Sequence, residues 1–139
     1  AAVAAGGAYG CAIRTGGSLV CWGSDGSGQA APPSGTFTAV ACGDTHACAI
    51  RRDGTLACWG SNDRGQSTPP QGTFTAVASG MFHGCAIGTD GTLACWGSND
   101  MGQVAAPSGT FTAVASGTYH SCAIQSDNLQ VRCWGNQER

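Results

Sequence analysis

The sequence predicts an all-β protein made of four copies of one small three-stranded sheet. Three observations carry that expectation. Cys11, Cys48, Cys85 and Cys122 recur at a step of 37 residues, and each is followed 10 or 11 residues later by Cys21, Cys58, Cys95 or Cys133. The same text surrounds every pair, Cys-Ala-Ile before a turn and Cys-Trp-Gly after it. Short apolar runs are broken at regular intervals by Gly, Asp and Asn, the sequence form of strands and turns. A period this long marks units that cannot bury their own apolar faces and must stack.

Within each unit the elements follow in order. The first strand is Ala2-Val3-Ala4-Ala5, then Thr38–Ala41, Thr75–Ala78 and Thr112–Ala115, with Phe37, Phe74 and Phe111 before the last three. A short loop opening on glycine ends in Tyr9, His46, His83 or His120. The second strand carries Cys-Ala-Ile and the third Leu-x-Cys-Trp, as at Leu56–Trp59. One repeat domain over 1–139 is expected, with blades at about 1–24, 37–61, 74–98 and 111–136.

The register of the hairpin between the second and third strands follows from its turn. Asp53-Gly54 supplies it, because glycine accepts a positive φ without steric cost. Folding about Asp53 sets Ile50 opposite Leu56 and Cys48 opposite Cys58. Facing residues of a non-hydrogen-bonded pair lie about 4.5 Å apart at Cα, within reach of a disulfide. The expected bridges are Cys11–Cys21, Cys48–Cys58, Cys85–Cys95 and Cys122–Cys133. The fourth unit has one extra residue in Gln125–Gln130, so a bulge or longer turn is expected there.

Side-chain alternation then decides the packing. Cys48, Ile50, Leu56 and Cys58 share one face of the sheet, and Ala47, Ala49, Ala57 and Trp59 the other. Both faces are apolar, so neighbouring sheets must cover them. The long polar links, such as Gly60–Thr73, carry prolines that suit an extended path needing no ladder pairing. Small sheets arranged radially with such links make a β-propeller. The expected fold is a propeller-type array of four three-stranded antiparallel blades, each with its own disulfide.

Composition excludes several functions. Charged residues are 10% of the chain, Lys is absent, Glu138 is the one glutamate, and the net charge is −2. A nucleic-acid site would need a basic stripe. Apolar stretches fall short of the ~18 residues of a membrane span. No signal peptide opens the chain, which suits a mature or excised form. Nine cysteines in 139 residues, eight of them paired by the repeat, point to an oxidising, extracellular compartment.

The string Val-Ala-x-Gly-x-x-His-x-Cys-Ala-Ile-x-x-Asp-Gly-x-Leu-x-Cys-Trp-Gly-Ser-Asn-x-x-Gly-Gln, at Val40–Gln66 and Val77–Gln103, resembles the regulator of chromosome condensation repeat. The short unit and proline link look most like a secreted bacterial branch that includes propeller-type β-lactamase inhibitory proteins. The resemblance implies usually seven-bladed propellers that act by binding other proteins. It also implies a structural role for the recurring histidine. The nucleotide-exchange function of the eukaryotic founder is not expected, since nothing here supplies the wedge that engages its GTPase. Four units leave two apolar faces uncovered, so self-association is expected, as a two-chain ring or a head-to-tail assembly, with a longer parent protein that covers both faces as the next alternative.

Candidate chemistry is sparse. His46, His83 and His120 recur at the period, but Tyr9 replaces them in the first unit, and no metal site or cofactor is expected. Cys42 stands where other units have Ala5, Ser79 and Ser116; as the odd cysteine it is a candidate free or intermolecular thiol, the alternative being a buried, inert one. The acids Asp53, Asp63, Asp90, Asp100 and Asp127 read as turn residues, too few per loop for calcium's 6–8 oxygens. No catalytic residue is identified.

Variation between units is the better guide to binding. The loops before the histidine carry Thr45, Met81-Phe82 and Thr118-Tyr119, and the exits of the third strands carry Arg64 and Met101. Chain direction places both sets on one face of the array, where large apolar tips beside an arginine suit a protein interface. The expected function is a non-enzymatic, secreted binding protein. Alternatives are a subunit of an extracellular fibre or surface assembly, an inhibitor of a secreted enzyme such as a β-lactamase, and a lectin. The tryptophans read as core, which disfavours the lectin.

Overall fold

The structure, a computed structural model, describes residues 3–6, 9–26, 28–62, 64–99 and 104–135. Among the described residues, twelve strands form four separate three-stranded antiparallel sheets, each in simple meander order. Blade 1 holds β1 (Val3–Ala5), β2 (Tyr9–Ile13) and β3 (Leu19–Gly23). Blade 2 holds β4 (Phe37–Cys42), β5 (His46–Arg51) and β6 (Leu56–Gly60). Blade 3 holds β7 (Phe74–Ser79), β8 (His83–Gly88) and β9 (Leu93–Gly97), and blade 4 holds β10 (Phe111–Ser116), β11 (His120–Gln125) and β12 (Val131–Gly135).

The hairpin register is the one its turn dictates. Ile50 faces Leu56 and Cys48 faces Cys58. In the turn the Arg51 N–H donates to Thr55 O and the Gly54 N–H to Arg51 O, both at 2.8 Å. Gly54 takes φ +93°, the left-handed residue that closes a three-residue loop with a bulge. Asp53 caps this turn, its Oδ1 accepting from the Thr55 backbone at 3.0 Å and the Thr55 hydroxyl at 2.7 Å. Asp90 does the same for Thr92.

In blade 4 the additional residue lengthens the turn. The Gln125 N–H donates to Gln130 O, and Leu129 alone among described non-glycine residues has a positive φ, +58°. Val131, not Leu129, therefore takes the strand position opposite Ile124.

All four cysteine pairs are bonded across their hairpins, with Cα atoms 4.0–4.1 Å apart. These bridges form one wall of each inter-blade core. Cys11, Ile13, Leu19 and Cys21 of blade 1 pack on Ala47, Ala49, Ala57 and Trp59 of blade 2. Cys48, Ile50 and Leu56 pack on Ala86 and Trp96 of blade 3. Cys85 and Ile87 pack on Ala123 and Trp134 of blade 4. In each case the bulky disulfide face of one blade meets the alanine–tryptophan face of the next. The small alanines let the sheets approach, and the tryptophan fills the remaining depth.

Backbone bonds lock the same order. The N–H groups of Phe37, Phe74 and Phe111 each donate to the hairpin glycine carbonyl of the preceding blade, Gly17, Gly54 or Gly91, at 2.8 Å. The Trp59 indole N–H donates to Gln29 O at 2.9 Å and the Trp96 indole to Gln66 O at 3.0 Å, tying each blade to the link behind it. The first strands β1, β4, β7 and β10 lie next to one another around a common axis.

The end blades depart from this pattern. Among the described residues, every large apolar side chain that is exposed lies on them: Val3 and Trp22 on blade 1, Leu129 and Val131 on blade 4. The expectation that the tryptophans are core holds for Trp59, Trp96 and Trp134, at 7–8% exposure, and fails for Trp22 at 50%. Trp22 sits on the face that a preceding blade covers elsewhere in the array.

Candidate partner-binding face

The loops that precede the histidines and those that leave the third strands come together on one face. The reason is local: the Ser61 N–H donates to Thr45 O at 2.9 Å, and the Ser98 N–H to Phe82 O at 2.8 Å. Each exit loop is thus stitched to the pre-histidine loop of its own blade. A further bond, Met81 N–H to Thr118 O at 3.2 Å, joins the loops of blades 3 and 4.

Side chains complete the surface. The Arg64 guanidinium, in the exit loop of blade 2, lies 4.8 Å from the ring centroid of Phe82 in blade 3. Arg64 is exposed, Phe82 and Met81 are half-buried, as are Thr45 and Tyr119, and Thr118 is exposed. The stack holds a charged group over a flat apolar ring at a rigid spot, worth about 0.5–1 kcal/mol at an exposed site. Met101 lies outside the described residues, as do Asp63 and Asp100.

At the axis, Ala5, Gly6, Cys42, Asp44, Gly80, Met81, Gly117 and Thr118 line a hollow of about 250 Å³ that opens on this face. Cys42 is unbonded and half-buried. Burial pushes its thiol pKa up, partly offset by the Tyr9 hydroxyl and the Cys11 backbone. A thiol held protonated is a poor nucleophile.

The periodic aromatic residues brace the face from beneath. The Tyr9 hydroxyl donates to the His46 carbonyl of the next blade, and burial pushes its pKa up. His83 Nε2 lies 2.9 Å from the Ser121 hydroxyl of blade 4. His46 and His83 are fully buried, and both His46 ring nitrogens lack a bonded partner among the described residues. Burial lowers the pKa of each to about 4; at His46 the charge of the neighbouring His83 adds to the effect, whereas at His83 a bond to the His120 backbone partly offsets it. They are neutral packing groups at pH 7. Among the described residues, no cluster of three or more His, Cys, Asp or Glu side chains is placed to hold a metal.

The exit loops also contain structural polar residues that the sequence reading passed over. Gln66 is fully buried, and its Oε1 accepts from the Arg64 N–H at 2.8 Å. Asp25, Asn62 and Asn99, at the 37-residue step, each accept a backbone N–H five residues on, from Ala30, Ser67 and Val104. The recurring Gly-Gln of the repeat was the available signal. Asn62 and Gln66 together fix the loop that carries Arg64.

Radial blades with inter-blade cores and a loop-built face define the β-propeller class. Four stretches, residues 1–29, 37–66, 74–103 and 111–139, match the model of the regulator of chromosome condensation (RCC1) repeat. The chain belongs to that family. It is similar to the CRINKLY WD40 ectodomain of the Arabidopsis thaliana receptor kinase ACR4, at 30% identity and a TM-score of 0.84, over 96% of this chain and 49% of that one. The ectodomain of the Physcomitrella patens receptor kinase CR4 aligns at 27% identity and a TM-score of 0.80, over 92% of this chain and 39% of that one. Prp20p from Saccharomyces cerevisiae shares the fold at 20% identity, TM-score 0.84, over 96% of this chain and 44% of its own. The chain thus spans less than half the length of these relatives. A search of curated proteins returns no match.

Proposed function

We propose that this chain is an exported, non-enzymatic binding protein that engages a protein partner through the Thr45–Arg64–Phe82–Tyr119 face and associates with itself through its end blades. Arg64 stacked on Phe82 between two neighbouring blades carries the reading. An arginine and an aromatic ring, held together on loops fixed by backbone bonds, are the residue types that dominate binding energy at protein interfaces. Met81, Thr118 and Met101 complete the proposed surface. Four disulfides support the oxidising habitat. Relatives add weight: two are receptor ectodomains, the Prp20p structure is described with its binding properties to Gsp1p and histones, and yeast RCC1 is seen bound to Kap60.

The test pairs capture with mutation. Cross-linking the parent chain to extracellular proteins should yield a discrete partner, a secreted enzyme being one outcome. The double variant Arg64→Ala/Phe82→Ala should bind that partner at least about tenfold more weakly, a loss of ~1.4 kcal/mol, with unchanged far-ultraviolet circular dichroism. Equal affinity of parent and variant would remove this face as the binding surface.

A further inference from the structure

Three of the six arginines, Arg14, Arg51 and Arg52, sit at the hairpin turns of blades 1 and 2, at the opposite end of the strands from the loop face. Between these two blades Arg14 and Thr15 on one side and Thr38 and Arg52 on the other line a hollow of about 330 Å³, which the buried Ile13 and Phe37 also line. Among the described residues, no carboxylate lines it. Both walls belong to a junction that the chain itself completes.

The repeat shows what is unusual here. At the position of Arg52 the next two units carry Thr89 and Ser126. All three are anchored alike, the backbone N–H donating to Thr36 O, Thr73 O or Thr110 O at 3.0–3.1 Å. In blades 3 and 4 the hydroxyls then close on each other, Thr89 with Thr73 and Ser126 with Thr110. In blade 2 the guanidinium crosses the junction instead, and Arg52 Nη2 lies 3.0 Å from where a Cβ on Gly17 of blade 1 would stand. Among the described residues, neither the Arg14 nor the Arg52 guanidinium makes a hydrogen bond or ion pair. The carboxylate of Asp53 is turned onto Thr55. Blade 1 supplies no acid either, because Gly16 stands where the other units have Asp53, Asp90 and Asp127. Two cations thus share one hollow without the carboxylate that the repeat would provide.

We infer that this hollow binds a phosphate dianion, free or as the monoester of a small molecule, between Arg14 and Arg52. A guanidinium is charged at every ordinary pH and presents a planar fork of donors that matches phosphate oxygens. Two such forks call for two negative charges. A carboxylate brings one, whereas a phosphate group at neutral pH brings about 1.5 to 2. The volume falls at the low end of the range for small-molecule sites, about 300–1,000 Å³. The Thr15 and Thr38 side chains add hydroxyl groups to the wall, and a partly apolar lining weakens competition from water. The site is separate from the Arg64–Phe82 face and does not rest on the binding role proposed for it.

The experiment is calorimetric titration of the oxidised chain at low ionic strength with inorganic phosphate, glucose 6-phosphate, glucose and acetate. Both phosphates should bind at one site per chain, more weakly as salt is added, and glucose and acetate should not. Tighter binding of glucose 6-phosphate assigns the ester, and equal or weaker binding assigns the free ion. Arg14→Gln and Arg52→Gln should each weaken binding at least about tenfold, whereas Arg132→Gln, on blade 4, should leave it unchanged. Gly16→Asp is the sharper variant. A side chain there meets nothing within 4 Å, and the new carboxylate restores the turn residue of the other blades. It should keep or raise the urea midpoint while weakening phosphate binding about threefold or more. Absence of phosphate binding at millimolar concentration overturns the inference. So does binding that is indifferent to Arg52→Gln or Gly16→Asp, or acetate bound as tightly as phosphate. The Arg64→Ala/Phe82→Ala variant should bind phosphate as the parent does, which separates failure of this site from failure of the loop face.

Discussion

Reducing the four disulfides is expected to unfold the chain under conditions in which the oxidised protein is fully folded. Each bridge closes a loop of 10 or 11 residues, worth about 2–3 kcal/mol in the chain-entropy model. Together they contribute roughly 10 kcal/mol, as much as the whole stability of an ordinary domain. The bridges also fill the cores, since Cys11, Cys48 and Cys85 have no exposed surface. Three-residue turns and small alanine faces leave little apolar bulk to compensate. Urea titrations with and without dithiothreitol, followed by circular dichroism, check this. Loss of the β-signal on reduction without denaturant is the expected result, and an unchanged urea midpoint would show that packing alone holds the blades.

A second large effect should come from acid. His46 and His83 are buried neutral, their pKa values lowered from 6.5 to about 4 chiefly by desolvation. The unfolded chain binds their protons first, so stability rises with pH across this window. The sign follows: their contribution is full above pH 6.5, is lost as the pH falls toward 4, and then levels off. A shift of this size corresponds to up to about 3 kcal/mol for each ring. Asp53 and Asp90, whose pKa values are lowered by their Thr55 and Thr92 bonds, act below that window. Urea midpoints between pH 8 and 4 should fall steeply from 6.5 downward, and His46→Gln should flatten the slope by about half. A parent profile flat between 6.5 and 4 would mean that these rings are hydrated.

Much of this was legible in the residues themselves. The 37-residue step, the period-2 alternation and Asp-Gly turns set blade number, hairpin register and both apolar faces, because these depend on neighbours close in the chain. Chain direction was enough to put Thr45, Phe82 and Arg64 on one face. The stack of Arg64 on Phe82 was not legible, since it depends on the angle between blades. The same holds for the Trp59 and Trp96 bonds to link carbonyls 30 residues back and for Tyr9 reaching the His46 carbonyl. Buried Gln66 was hidden in a polar loop that reads as solvated. Trp22 was read as core because its local text matches Trp59, Trp96 and Trp134. Its exposure is a property of its place in the array.

Both the stacking of the blades and the proposed oxidising habitat depend on bridged cysteines, and a thiol count on the unfolded, unreduced chain tests that most directly. Of the nine cysteines, one thiol should react in denaturant without reductant, and peptide mapping should place it at Cys42. Nine reactive thiols, or three with one pair open, would contradict the four-bridge scaffold.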